Sequence, residues 1–411
     1  MSRPVLVIVS LLSCLLSPAV WAAEVPVSPG DGTLAAAVAG ASSGDTLVLR
    51  DGTYTGDVTV DKSLTVRPTN RGTIAVMVGT LSLTGDGIRV TVQGLKFTQN
   101  LILNQAAAVR VLENDFAAGN ILLYGKIGSG SADLDAAPAV VIVGNKLASG
   151  LIQEVNRYGS GAFYIAGNRL IAGMIYVYTS AWIVGNDVRG SNGFCIFGQG
   201  SWMRILANRV RQGYFYGSGI EASSPYTLIA GNVIEMDAGY YGIRSGGSGY
   251  GVITNNVIRN SGSASNASYR IYAHNSVTRV SGNIILDFVN SEPINAGGSF
   301  NDVSNNLCYH NGADCPAGNG NLNADPKFID LVDYRLAPNS PAINAGPADY
   351  EYADLDRTRN DMGAHGGPWS IGQYDAQRAA TNLTPFVYPL NILDIVGGSL
   401  EVQALGVARF R

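Results

Sequence analysis

One six-residue pattern governs what this chain can fold into: an apolar residue, any residue, a small residue or Asn, then Asn, any residue and an apolar residue. It appears first as Val111-Leu112-Glu113-Asn114-Asp115-Phe116 and returns around Asn145, Asn168, Asn186, Asn208, Asn232, Asn256, Asn283 and Asn306. The intervals are 31, 23, 18, 22, 24, 24, 27 and 23 residues, a mean of 24. A period of this length marks a repeat architecture in which each unit buries its apolar surface against its neighbours. Between the asparagines lie short alternating runs rich in Val, Ile and Tyr, bounded by Gly, Ser and Asn, a strand-and-turn pattern without helix. The 51 glycines in 411 residues fit many turns. Strands one period apart can stack in parallel as coils of a solenoid, spaced about 4.8 Å. Each asparagine then lies on its equivalent in the next coil, where its amide bonds along the stack and to the turn backbone. The asparagines are therefore read as a ladder that holds the turns, and not as ligands.

The first residues read differently. Arg3, the apolar run Val5–Leu16 and the small-residue stretch Ser17 to Ala23 have the three parts of a secretory signal, with cleavage expected after Ala22. The apolar run is shorter than the roughly 20 residues needed to span a bilayer. Leu11-Leu12-Ser13-Cys14 also has the outline of a lipobox, so a lipid anchor on Cys14 is the alternative. The expected location is secreted or periplasmic, and no later segment reads as a membrane span. A net charge of −4, with five lysines in the whole chain, lacks the basic face of a nucleic-acid protein. Charged residues are 14% against about 25% in ordinary globular domains, and 46% are hydrophobic, which excludes a disordered chain. In an oxidising compartment Cys308 and Cys315, seven residues apart around Asn311-Gly312, are expected to form a disulfide. Cys195 is then left as a packed thiol.

With this repeat, the chain resembles the secreted right-handed parallel β-helix proteins of the pectate-lyase-like superfamily. Thr33 to Val38 looks like an N-terminal capping helix, expected over Leu34–Ala41. Gly44 to Leu49, Asp51 to Tyr54 and Val58 to Val66 look like the first coils. Asp325-Pro326-Lys327-Phe328, Tyr334-Arg335-Leu336, Ser340 to Gly346 and Asp361 to Ala364 are similar to the closing segment of such proteins. The resulting expectation is an all-β, single right-handed parallel β-helix of about eleven or twelve coils over residues 23–367. It follows a signal at 1–22 and precedes a small C-terminal β extension at 368–411, where Pro385–Tyr388 and Leu400–Gln403 read as strands. A monomer is expected. The resemblance implies action on polysaccharide by lyases, many of which use Ca²⁺. The acidic residues of the closing segment, Asp354, Asp356 and Asp361, are the residues that could hold a cation; otherwise they are turn residues.

Aligning the coils on the asparagines places side chains in columns. Six positions before each lie Trp202, Tyr226, Tyr250, Val277 and Phe300, expected as an interior or shoulder stack, or else as a platform for sugar rings. About eleven positions before lie Phe197, Glu221, Arg244, Tyr272 and Asn295; one extra glycine shifts Arg244 by one place. Two residues on come Gln199, Ser223, Gly246, His274 and Gly297, on the same side of the strand. Ile196, Ile220, Ile243, Ile271 and Ile294 precede the first column and should point inward, which turns the polar column outward.

That patch suits β-elimination on a uronic acid. A cation neutralises the carboxylate, a base takes the acidified C5 proton, and an acid protonates the departing oxygen. Arg244 suits the first role, in a forked contact. Tyr272 and His274 suit the proton transfers, with Glu221 completing the catalytic set and Phe197, Gln199 and Asn295 binding substrate. Hydrolysis needs two carboxylates about 5–10 Å apart, and Glu235 and Asp237 fall beside the Asn232 turn, away from Glu221. The expected function is an extracytoplasmic polysaccharide lyase or uronate epimerase. The alternative is a non-catalytic carbohydrate-binding or cell-surface β-helix protein.

Overall fold

The computed structural model describes residues 22–70, 72–125, 127, 138–157, 161–190, 193–213, 217–237, 239–262 and 269–374, and the backbone of 386–396 and 399–407. The signal segment and Cys14 lie outside the described residues. Among these, no helix is long and apolar enough to cross a membrane.

The chain winds as a right-handed parallel β-helix of about 11 turns with three strand faces. In each regular coil a strand of face three leads to one of face one, then to the asparagine turn, then to face two. Ser218–Ser223, Tyr226–Ala230 and Val233–Met236 make one such coil. Every face repeats in register. Ile183 pairs with Ile205 and Ile205 with Ile229 on face one. On face three Ile196 pairs with Ile220, Ile220 with Ile243 and Ile243 with Ile271. All seven are fully buried, each contributing about 1.5–3 kcal/mol by leaving water. Extra residues enter between strands and leave the pairing intact: Leu112 still pairs with Val143 across the 31-residue interval.

The solenoid begins one strand earlier than the first coils expected from sequence, because Glu24–Val27 already pairs with Thr46–Leu49. The capping helix spans Thr33–Gly40 and sets Leu34 and Val38 into the open end of the core. Beyond the last coil, Phe386–Val396 and Ser399–Val407 form a separate antiparallel pair.

The repeated asparagines stand in one ladder. Asn232 is fully buried, and its Oδ1 accepts from both the backbone N–H and the Nδ2 of Asn208, at 2.8 and 2.9 Å. Its Nδ2 donates to Asn256 Oδ1 and to the carbonyl of Ile205, each at 2.9 Å. The same arrangement runs from Asn114 to Asn306 and gains a further rung at Asn321. The residue before each asparagine from Asn114 to Asn306 has φ between 53° and 70°. This left-handed conformation suits Gly or Asn, which explains the small-or-Asn position of the repeat. Glu113 and Ala207 adopt it without being either.

Residues 324–374 return along the outside of the asparagine turns as a strap. Tyr334, Met362, Ala364, Ile371 and Tyr374 are buried there in a second apolar cluster. Asn255 Nδ2 donates to Asn360 Oδ1 at 2.9 Å, and Tyr334 Oη donates to Glu235 Oε1 at 2.7 Å. A disulfide joins Cys308 and Cys315, whose Cα atoms are 5.4 Å apart. Cys195 is fully buried, and burial pushes its thiol up to about 12, so it is not a reactive thiolate.

Replacing Asn232 by Leu leaves the buried backbone N–H of Asn208 without its acceptor and takes one donor each from Asn256 Oδ1 and the Ile205 carbonyl, while Asn208 Nδ2 keeps the Ile183 carbonyl and Asn256 Oδ1 keeps the backbone N–H at 232. Each orphaned group costs about 1–3 kcal/mol. The expected loss is therefore about 1–3 kcal/mol, read as a lowered denaturant midpoint. A midpoint equal to that of the parent protein would show that the ladder is not what holds the turns.

Candidate functional site

Face three carries the polar column. Phe197 pairs with Glu221, Glu221 with Arg244, Arg244 with Tyr272 and Tyr272 with Asn295. Gly246 pairs with His274 in the parallel column two residues on. The preceding isoleucines point into the core, so these side chains point outward.

Outward does not mean solvated. Glu221 is 6% exposed, although it accepts from Arg244 Nη1 at 2.9 Å. Ser218 Oγ also bonds it, at 3.3 Å. Burial raises its pKa above the ordinary carboxylate range; the Arg244 charge and the two hydrogen bonds pull the other way without restoring it. Arg244 itself keeps 48% of its side-chain surface in solvent.

Tyr272 and His274 stack with ring centres 4.1 Å apart. His274 is exposed, and its Nε2 lies 2.7 Å from Asn295 Oδ1. An amide oxygen only accepts, so Nε2 carries the proton, and in the neutral ring Nδ1 is left as acceptor. Gly297 provides the room for this ring: a Cβ there would stand 2.5 Å from His274 Nδ1 and Cε1. Beside Arg244, Gly246 opens a notch, since a Cβ there would meet nothing within 4 Å.

The residues expected to bind substrate are placed as follows. Phe197 is only 8% exposed, stacked on Tyr176 at 4.3 Å and flanked by Phe194 and Tyr178. It supports the site from below and offers little surface for a sugar ring. Gln199 is half-buried just past Ile196–Gly198, its backbone N–H bonded to Val177. Asn295 is half-buried and holds His274.

The strip also contains residues not singled out from sequence. Tyr176 pairs with Phe197 and bonds the Tyr178 hydroxyl at 2.9 Å, and Arg157 lies 4.4 Å over the Tyr178 ring. Tyr241 packs between Arg244 and Tyr272. The 18-residue interval between Asn168 and Asn186 put Tyr176 one place out of the count from the asparagine, which concealed it.

Glu235 lies in the face-two strand Val233–Met236 after the asparagine turn and Asp237 directly follows it, and they are engaged there by Tyr334, Arg211 and Ser261. No pair of carboxylates is thus formed with Glu221. The acidic residues of the closing segment serve as turn residues. Asp354 accepts from the backbone of Asp361 and Gly367, Asp356 from Thr358, and Asp361 from Asn344. Among the described residues, no three His, Cys, Asp or Glu side chains gather as metal ligands. With their carboxylates taken up by these donors, the aspartates do not fit a Ca²⁺ site.

No family model matches the chain, and no curated protein matches it. Among solved structures, a mutant of the PL6 family alginate lyase AlyGC is 12% identical with a TM-score of 0.44, over 84% of this chain and 57% of that one. AlyGC itself is 13% identical with a TM-score of 0.39, over 77% of this chain and 55% of that one. The chain thus spans little more than half the length of that lyase. The pectate lyase Pel9A is 13% identical with a TM-score of 0.37, over 83% of this chain and 96% of that one.

Gly297→Ala tests the placement of His274. The added methyl must displace the imidazole and break its contact with Asn295, while the backbone at 297 tolerates Ala. The ring resonances of His274 followed by NMR should move with no change in the melting temperature. An unaltered His274 resonance would mean that the ring is not seated against Gly297.

Proposed function

We propose that the face-three strip is the active site of a lyase that cleaves a uronic-acid-containing polysaccharide by β-elimination. The observation that carries this reading is the register: a guanidinium, a phenol–imidazole pair and a buried carboxylate meet on three successive coils. A cationic and aromatic strip suits a polyanionic sugar chain lying along the helix axis, and secretion of the protein would bring it to such a polymer.

Arg244 would meet the substrate carboxylate in a forked contact and neutralise it, which acidifies the C5 proton. Glu221, fixed beneath by Ser218, would hold the guanidinium in position. His274, its Nε2 proton held by Asn295, would offer Nδ1 as base to C5. The C5–H electrons then form the C4–C5 double bond, the C4–O bond breaks, and the Tyr272 hydroxyl protonates the departing oxygen. A uronate epimerase would share the proton abstraction and return a proton to C5 without breaking the chain. Formation of an unsaturated product separates the two.

Incubation with alginate, polygalacturonate and chondroitin, followed by ultraviolet absorbance of the unsaturated sugar, tests the reading. Arg244→Ala should lower kcat/KM by about 10²–10³-fold and His274→Ala by about 10²–10⁴-fold. Full activity in both variants would place the site elsewhere. No change in any polymer would favour a binding or structural protein.

The pH profile carries a separate expectation. Protonating Glu221 releases Arg244, so activity should fall on the acid side as the pH drops through the raised pKa of Glu221, above the ordinary carboxylate range. In Glu221→Gln that limb should disappear. A limb that persists unchanged belongs to another group.

A further inference from the structure

We propose that a second cleft, on the outer side of face one, binds an uncharged stretch of linear glycan and so anchors the protein apart from the face-three strip. This cleft has a volume of about 740 Å³, within the range of about 300–1,000 Å³ usual for ligand sites. Its floor is the coil surface around Tyr226, Tyr250 and Arg204, and its wall is the strap, through Glu351, Tyr352 and Trp369.

The aromatic column expected as an interior or shoulder stack proves to be largely open. Trp202 is nearly covered, but Tyr226 is 64% exposed, Tyr250 48% and Phe300 72%. Tyr226 and Tyr250 pair in register on consecutive coils, so the backbones that carry them are stepped by about 4.8 Å, close to the length of one pyranose unit. Two such rings opposite Tyr352 and Trp369 make a slot for flat sugar rings. The faces of those rings bring apolar C–H groups, and their edges bring hydroxyls.

Charge selects among sugars. Arg204 and Glu351 are the charged residues lining the cleft. At its end Arg279 lies over the Tyr352 ring and meets Asp302, Asp349 and Glu351. Two arginines against three carboxylates leave no net positive charge to hold a polyuronate, whereas a neutral glycan finds donors and acceptors for its hydroxyls. The face-three strip, with Arg157 and Arg244 against the buried carboxylate of Glu221, has the opposite balance. The two surfaces therefore suit different polymers, as in a wall or matrix where acidic and neutral glycans are interwoven.

The test is tryptophan fluorescence of the full protein titrated with cellohexaose, mannohexaose and xylohexaose, and with a uronic-acid hexasaccharide as the charged comparison. At least one neutral hexasaccharide should shift the emission, Trp369 being in the wall. Tyr226→Ser combined with Tyr250→Ser should weaken that binding by about tenfold or more, from the loss of two stacking contacts. Tyr250→Phe, which keeps the ring, should preserve it, and Arg244→Ala should leave it unchanged. Failure of all three neutral sugars, or equal binding of the uronic-acid sugar, would overturn the proposal. So would a lower melting temperature or an altered oligomeric state of the double variant without sugar, because the cleft would then be filled by the protein's own tail or by a second copy.

Discussion

The fully bonded asparagine amide is the interaction on which the rest of this structure depends. Each Oδ1 takes two donors from the coil before, and each Nδ2 reaches the next Oδ1 and a carbonyl of the preceding coil. No polar atom of the side chain is left over, so it can be buried at every turn without the desolvation cost an unpaired amide would carry. The left-handed residue before it turns the chain sharply enough to bring the next strand onto face two. Coil spacing, strand register and the inward direction of the isoleucines all follow from repeating that turn.

A scaffold fixed in this way leaves its outward positions open to other uses. On face three they carry a guanidinium, a carboxylate, tyrosines and an imidazole; on face one they carry exposed tyrosines; on face two they carry ion pairs such as Arg211–Asp237 and Arg259–Asp287. The neighbours of each outward residue come from adjacent coils, one repeat away in sequence. Glu221 and Arg244 meet for this reason although 23 positions separate them.

Much of this was legible in the sequence because position modulo the repeat is position in space. Counting back from the asparagines gave the pairs Phe197–Glu221–Arg244–Tyr272–Asn295 as the structure has them. The one-place shift at Arg244 corresponds to the register break between Gly247 and Tyr250. What the count could not supply was depth. It did not distinguish Glu221, covered by its neighbours, from Arg244, half in water, nor did it show that Tyr226 and Tyr250 stay open while Trp202 is covered. Those differences depend on ring packing within coils and on the path of the strap, neither of which is periodic. Asn321 escaped for a related reason: it lies only 15 residues after Asn306, too close for a full coil, yet it completes the ladder.

The strap changes how the molecule holds together as a mechanical object. A stack of coils touching only its neighbours can open from either end, one coil at a time. Here Asn255 is bonded to Asn360, Glu235 to Tyr334 and Arg209 to Asp333, links that span 105, 99 and 124 residues. The chain that leaves the last coil thus returns to grip the middle ones. Peeling away the final coils requires the strap to detach first, so the helix is latched at the end where it would otherwise fray. Such links can form only after the central coils exist, which makes docking of the strap a late event in folding and its release an early one in unfolding.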